Sequence, residues 1–98
     1  MSNDIIDDNP LVIENEDDYV KLNDKNWSSI IVKERMFEEM RNELILKNYP
    51  HVQFIHIQGR SFKNISSLTI SNLPELKYLI FEYGSFSPTT SLTLSSIF

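Results

Sequence analysis

The sequence is short of the residues on which many protein sites depend. Its 98 residues include no cysteine, two histidines and two glycines. Without cysteine the chain forms neither disulfides nor cysteine-based metal sites, and it contains no glycine-rich phosphate-binding loop. No apolar run approaches the roughly 18 residues of a membrane-spanning helix. No Ser-His-Asp or Cys-His arrangement can be argued from the spacing, so we expect no enzymatic activity, no cofactor and no metal.

The formal net charge is -5, and most of the acidic excess precedes Tyr19. This balance argues against duplex nucleic acid or an anionic membrane as the main partner. Residues 1–10 are polar and acidic and contain little apolar area to bury, which predicts a mobile acidic tail. The start of the chain lacks the basic and apolar segments of a secretory signal, so we expect a cytoplasmic protein.

One sequence pattern occurs twice in full and starts a third time. The segment Leu44–Pro50 returns as Leu68–Pro74 and starts again at Leu92, with an offset of 24 residues each time. Other positions keep the same register: Val52 with Leu76, Ile55 with Leu79, Ile57 with Phe81, and Ser61-Phe62 with Ser85-Phe86. Ile30 and Val32 match Ile55 and Ile57 at an offset of 25. A fixed period of this length is typical of proteins built from stacked repeats.

Each unit from residue 43 onward contains two short strand patterns. Strict alternation assigns one face of each strand to the interior. The predicted core set is Leu44, Leu46, Ile55, Ile57, Leu68, Ile70, Leu79, Phe81, Leu92 and Leu94. Turns at Asn48-Tyr49-Pro50 and Asn72-Leu73-Pro74 follow the first strands, and Gly59 and Gly84 lie where the chain leaves the second.

The N-terminal part predicts a different set of elements. Leu11–Ile13 is a candidate strand, and Asn15 can cap a short helix ending near Asn23, with Tyr19, Val20 and Leu22 on its apolar side. Ser29–Lys33 is a second strand candidate. The segment Glu34–Asn42 fits either a helical stripe or a loop that carries the recurring phenylalanine of each unit. We favour a short helix or helical turn there, because Glu, Arg and Met form helices well.

The run Leu73-x-x-Leu76-x-x-Leu79-x-Phe81 resembles the leucine-rich-repeat motif. The Ser-Phe pairs and the second short strand are similar to a mostly-β subclass found in microbial repeat proteins. The resemblance implies an α+β, predominantly β fold: a solenoid of stacked parallel strands with a short N-terminal helix. Residues 11–42 would form an N-terminal cap, and residues 43–98 would form units of period 24, incomplete at the C-terminus. Gly59 and Gly84, or their neighbours in a slipped register, replace the asparagine usual in the motif.

Such a family implies a scaffold that binds protein on the exposed side of its stacked strands. By alternation the candidate partner-binding residues are Phe54, His56, Gln58, Tyr78, Ile80 and Glu82, flanked on the preceding strand by Ser29, Ile31 and Lys33. An alternative is that these side chains only pair across neighbouring strands. A second function hypothesis is a structural cap or spacer of a longer repeat array, with no ligand of its own.

Two further surfaces follow from the same alternation. The opposite strands present Glu43, Ile45 and Lys47, then Ser67, Thr69 and Ser71, then Ser91, Thr93 and Ser95. This hydroxyl ladder fits either a flat surface that is adhesive or faces ice or glycan or, as we favour, a solvated strand face. The C-terminal end would expose Leu92, Leu94, Ile97 and Phe98, which predicts self-association or marginal stability.

Overall fold

The computed structural model describes residues 9–87 and 90–97. Within them the chain forms a 3-10 helix at Glu16–Asn23 and seven β-strands. The strands are β1 (Pro10–Ile13), β2 (Ser29–Val32), β3 (Glu43–Lys47), β4 (Phe54–Ile57), β5 (Ser67–Leu73), β6 (Tyr78–Phe81) and β7 (Ser91–Ile97). The protein is therefore α+β and predominantly β, as the strand patterns predict. The described helix, at eight residues, lacks the length and apolar character needed to cross a bilayer.

The strands form two parallel sheets. One has the order β1-β2-β4-β6 and the other the order β3-β5-β7, so the chain alternates between sheets from β3 onward. Leu44 pairs with Leu68 and Leu68 with Leu92, while Ile55 pairs with Leu79. Like residues of the 24-residue pattern therefore lie side by side. The predicted register is confirmed in both sheets.

The core lies between the two sheets, and its side chains become more exposed to solvent toward β6 and β7. Six residues of the predicted core set are at most 2% exposed: Leu44, Leu46, Ile55, Ile57, Leu68 and Ile70. Leu79 and Phe81 are partly buried, whereas Leu92 is 52% and Leu94 44% exposed. Within the described residues β6 and β7 pair with a strand on one side only. The predicted exposure of Leu92 and Leu94 is thus confirmed; the side chain of Ile97, and Phe98, lie outside the described residues.

A column of phenylalanines runs through the core. Phe62 is fully buried, and its ring stacks on Phe37 at 5.0 Å and on Phe86 at 6.1 Å between ring centroids. Each of the three has a positive φ, between 56° and 62°. The segment 34–39 forms turns in which Arg35 and Phe37 are left-handed, so the favoured short helix or helical turn over Glu34–Asn42 is wrong and the loop alternative is right. A left-handed residue at Phe37 is incompatible with an α-helix, and it lets the ring reach Phe62.

Two more columns of left-handed residues mark the corners of the fold. Asn48, Asn72 and Ser96 have φ values of 64°, 56° and 54°. Arg35, Arg60 and Gly84 form the other column, at 62°, 67° and 81°. Gly84 is therefore the counterpart of Arg60, and Gly59 is not among the positive-φ residues. Gly59 and Gly84 therefore do not occupy equivalent positions in successive units.

The N-terminal segment closes the opposite end of the core. β1 begins at Pro10, one residue before the predicted strand, and the Asn9 N–H donates to Ser28 Oγ at 2.9 Å. Residues 1–8 of the predicted tail lie outside the described residues. In the 3-10 helix Leu22 is buried, but Val20 is 64% exposed, so its predicted apolar role is wrong. The buried Tyr49 hydroxyl donates to Leu22 O at 2.7 Å, which joins the helix to the turn that follows β3.

Candidate functional site

The predicted partner-binding residues share one side of the first sheet. Phe54 pairs with Tyr78 and His56 with Ile80 across β4 and β6. Beyond the last strand residues the ladder continues, because the Glu82 N–H donates to Ile57 O at 3.0 Å. The side chains of Phe54, His56, Gln58, Tyr78, Ile80 and Glu82 therefore point away from the core, and together they are called the aromatic face below.

The apolar part of the aromatic face is well exposed. Tyr78 is 62% and Ile80 41% exposed, while Phe54 is half-buried. The rings of Phe54 and Tyr78 meet edge to face, with centroids 6.2 Å apart and planes at 73°. Such a pair contributes about 0.5–1.5 kcal/mol beyond the area that it buries. Packing thus orients both rings and still leaves much of Tyr78 open to solvent.

The polar part is organised around Glu82. Its Oε2 lies 2.6 Å from His56 Nε2, and its Oε1 accepts the Gly59 N–H at 3.1 Å. The His56 ring in turn meets Phe54 edge to face at 6.0 Å. Both carboxylate oxygens are engaged, so the carboxylate is oriented by His56 and Gly59. The sequence predicts that Gln58 lies beside Glu82. The backbone register places the two residues side by side, but the side chain that contacts the Glu82 carboxylate is His56.

The flanking strand contributes less than predicted. Ser29 is fully buried, so its predicted exposure is wrong, while Ile31 is half-buried and Lys33 is exposed. Ser29 lies in register between Pro10 and Phe54, and these larger neighbours cover its short side chain. Its hydroxyl forms no hydrogen bond within the described residues. The accessible part of the aromatic face therefore belongs to β4 and β6.

The hydroxyl ladder lies where alternation places it, on the outer side of the second sheet. Ser67, Thr69 and Ser71 are half-buried between the neighbouring strands. Ser91, Thr93 and Ser95 on β7 are exposed. Ile45 on β3 is the one large apolar side chain among these outward positions, at 42% exposed. This surface lacks aromatic rings and gives no geometric sign of a ligand site.

Two surface hollows join segments that are far apart in sequence, and no local sequence motif marks either of them. One, of about 390 Å³, is lined by Glu16, Tyr19, Phe37, Glu39 and Met40. The other, of about 300 Å³, lies between the two Asn-x-Pro turns and is lined by Asn48, Pro50, Asn72 and Pro74. There the Asn72 Nδ2 donates to Asn48 Oδ1 at 2.8 Å. Only the 24-residue repetition hints at the second hollow, by predicting that the turns are adjacent.

The acidic run before Tyr19 takes part in local contacts at the start of the 3-10 helix. Asp18 accepts the Glu14 N–H at 3.0 Å and pairs with Lys21 at 3.0 Å. These interactions, the backbone hydrogen bond first, hold the pKa of Asp18 below its ordinary value. The acidic run is thus anchored to the start of the 3-10 helix. Among the described residues no group of three or more histidine and acidic side chains is placed to hold a metal ion.

Comparison of the chain with protein-family models, with curated proteins and with solved structures gave no match. The class of protein is therefore stated from the geometry of the fold and of the candidate site. It belongs to the class of small, predominantly β proteins with two parallel sheets that share one core. Its distinguishing surface is the aromatic face on the outer side of β4 and β6.

Proposed function

We propose that the protein is a leucine-rich-repeat-like solenoid that binds a protein partner through the aromatic face. The observation that carries the proposal is the exposure of Tyr78 and Ile80, at 62% and 41%, beside the oriented ring of Phe54. Tyrosine is enriched among the few residues that dominate binding energy at protein interfaces. Its ring supplies a large contact area with only two side-chain torsions to immobilise.

The solenoid part of the proposal is supported by the repetition of whole columns. The two sheets keep an offset of 24 residues between neighbouring units. Left-handed corners recur at the same offset, as at Asn48 and Asn72. A stack of such units gives a continuous row of outward side chains that is suited to an extended or helical partner segment.

The polar part of the aromatic face would supply orientation. The Glu82 carboxylate is held by His56 and Gly59, so a partner's donor would meet an acceptor that is already fixed in place. Pre-oriented groups lower the entropy cost of association. The apolar rings would then contribute most of the affinity, and the carboxylate would select the partner's register.

The test compares three forms of the full chain in a binding experiment. Immobilised wild type, Phe54→Ser/Tyr78→Ser and Ile45→Ser are used to capture proteins from the same cell extract. Ile45 is a matched control because it is 42% exposed on the other sheet. We expect a partner that wild type and Ile45→Ser retain and that the double variant loses, while circular dichroism shows all three folded. Identical capture by all three forms would exclude the aromatic face as the binding surface.

The same double variant separates binding from simple cross-strand pairing. If Phe54 and Tyr78 serve only the sheet, their replacement lowers the free energy of unfolding without changing any partner. The pair term should then appear as a coupling of about 0.5–1.5 kcal/mol in a double-mutant cycle. Binding is supported when partner loss exceeds what the measured stability change explains.

A second candidate function, a cap or spacer within a longer array of repeats, is favoured by the exposed end of the core. Leu92 and Leu94 are 52% and 44% exposed, whereas their counterparts Leu44, Leu46, Leu68 and Ile70 are at most 2% exposed. A further unit would cover them. Fusing a copy of residues 75–98 after Phe98, which keeps the offset of 24 residues, should raise the midpoint of urea unfolding if units stack in this way, because each added repeat contributes an interface. An unchanged or lower midpoint would count against it.

A further inference from the structure

The free edge of β7 is unusually open to pairing. β7 spans Ser91–Ile97 and, within the described residues, pairs only with β5. β6 at the same end likewise pairs only with β4. An edge strand presents unpaired backbone donors and acceptors, and proteins usually protect such edges with charges, proline or a covering element. The sequence from Tyr83 to Phe98 contains no Asp, Glu, Lys or Arg, and β7 itself contains no proline.

Apolar side chains accompany this edge. Leu92 and Leu94 point toward the core side of β7 and are about half exposed, at 52% and 44%. The β5–β7 junction shows what such residues bury when a neighbour is present, because Leu68 and Ile70 are at most 1% exposed. An added strand beside β7 would satisfy the backbone edge and cover both leucines in one step.

The opposite end of the molecule is protected. β1 starts with Pro10, which has no backbone N–H to donate, and the 3-10 helix lies over the core there through the Tyr49–Leu22 hydrogen bond. On the β3 side the Lys25 Nζ already donates to Lys47 O at 3.2 Å. A second copy stacked head to tail would have to place the β7 edge against these occupied groups. The two ends are therefore not complementary to each other.

We propose that two copies of this chain associate end to end through the edges of β6 and β7, about a two-fold axis normal to the sheets. That operation keeps each strand on its own sheet and reverses its direction, so β7 pairs antiparallel with β7 of the second copy, and β6 with β6. Leu92 and Leu94 of both copies then share one interior. Such an interface is isologous and closes at two copies.

Charge supports this arrangement over other ways of bringing two copies together. The chain carries a formal net charge of -5, concentrated before Tyr19, so two copies repel each other mainly through their N-terminal segments. The two-fold arrangement joins the ends that carry β7, where residues 83–98 contain no charged side chain, and places the acidic N-terminal segments farthest apart, where screening by salt is most effective. The proposed contact uses the strand edges and the core side of β7, and the aromatic face keeps its place on the outer side of β4 and β6.

The first test measures the mass of the full chain in solution by sedimentation equilibrium across a wide concentration range. We expect wild type to move between the monomer and twice the monomer mass, and Leu94→Lys to stay monomeric because two like charges would face each other. Leu94 is 44% exposed, so the monomer should tolerate the change. Ile45→Lys, on the outer side of β3, should dimerise as wild type does. A monomeric wild type, or masses that keep growing beyond two copies, would overturn the proposal.

The second test uses the absence of cysteine, which means that any introduced thiol has no competitor. Ser91→Cys, Thr93→Cys and Ser95→Cys are made one at a time, together with Glu43→Cys at the other edge of the same sheet. In an antiparallel β7–β7 pair centred between Ser91 and Ser95, at least one of the three β7 positions lies opposite or diagonal to itself in the second copy. We expect one β7 variant to form a disulfide dimer faster than the others and Glu43→Cys to form none. Equal rates at all four positions would refute the two-fold edge pairing.

Discussion

The phenylalanine column makes the sharpest prediction about stability. Phe62 is fully buried and stacks on Phe37 at 5.0 Å and on Phe86 at 6.1 Å. Replacement of a buried phenylalanine by alanine costs about 3–5 kcal/mol. The left-handed backbone, with φ at 56°, does not alter this value, because alanine and phenylalanine both carry a Cβ and bear a similar strain. A small domain has about 5–15 kcal/mol in total, so Phe62→Ala should remove a large share.

The measurement is urea unfolding followed by circular dichroism and by the fluorescence of Trp27, the single tryptophan of the chain. Phe86→Ala is the matched control, because Phe86 belongs to the same column but is only partly buried. We expect it to cost about 1–2 kcal/mol, since part of its ring already contacts water. Coincident transitions by the two probes would validate two-state analysis.

Phe62→Leu provides a measurement if the alanine variant does not fold. It keeps a large apolar side chain and removes two ring pairs, each contributing about 0.5–1.5 kcal/mol. The expected loss is therefore about 1–3 kcal/mol by the same pair values. The reasoning fails if Phe62→Ala costs no more than Phe86→Ala, because the column would then not be the packed centre that the burial of Phe62 implies.

Three further predictions concern single side chains. Burial raises the pKa of Tyr49 to about 12, from an ordinary value near 10, so the unfolded state loses this proton first as pH rises; stability should be intact below about pH 10 and fall by about 2–3 kcal/mol by about pH 12. Tyr49→Phe should remove that alkaline loss and cost about 1–2 kcal/mol at neutral pH by orphaning Leu22 O; spectrophotometric titration and pH-dependent melting check both, and a normal tyrosine titration would contradict them. Asn72→Ala should be less stable than Asn72→Gly by about 1 kcal/mol, because glycine accepts a positive φ without strain; the reverse order in urea unfolding would exclude strain at that corner. Glu82→Gln should change stability by less than about 1 kcal/mol, since the His56–Glu82 pair is solvent-accessible; a larger loss in the same assay would show that the pair supports the fold.

The repeat period predicted the parts of the structure that depend on local alternation. Inward and outward positions of β3, β4 and β5 follow from period two. The offset of 24 residues also predicts which residues pair across strands, such as Leu44 with Leu68. A one-residue slip would turn every apolar side chain of a strand to solvent, and this is why pattern alone was sufficient there.

The errors lie where a neighbour decides the outcome. Helix propensity favoured a helix over Glu34–Asn42, but stacking of Phe37 on Phe62 requires a left-handed turn. Ser29 alternates outward and is nevertheless buried, because Pro10 and Phe54 flank it. Val20 has an apolar side chain and remains exposed, since the helix presents Leu22 to the core instead.

In the candidate site, too, repeat spacing predicts one contact and the tertiary structure decides another. Phe54 and Tyr78 lie in one row across the sheet because they are one repeat period apart, so the period alone predicts this placement. The contact between His56 and Glu82 joins residues 26 positions apart and runs diagonally across two strands, so it depends on side-chain directions that spacing does not contain.

By itself the sequence determined which residues pair across neighbouring strands. A repeated pattern of side chains can share one interior only when its copies stack in register. The tertiary structure alone decided which of those residues stay accessible. Tyr78 and Ile80 remain open on the outer side of β6, and Leu92 and Leu94 remain open at the end of the core. Exposure is set by the presence or absence of a neighbouring strand, and that is a property of position in the assembled sheets rather than of the residue.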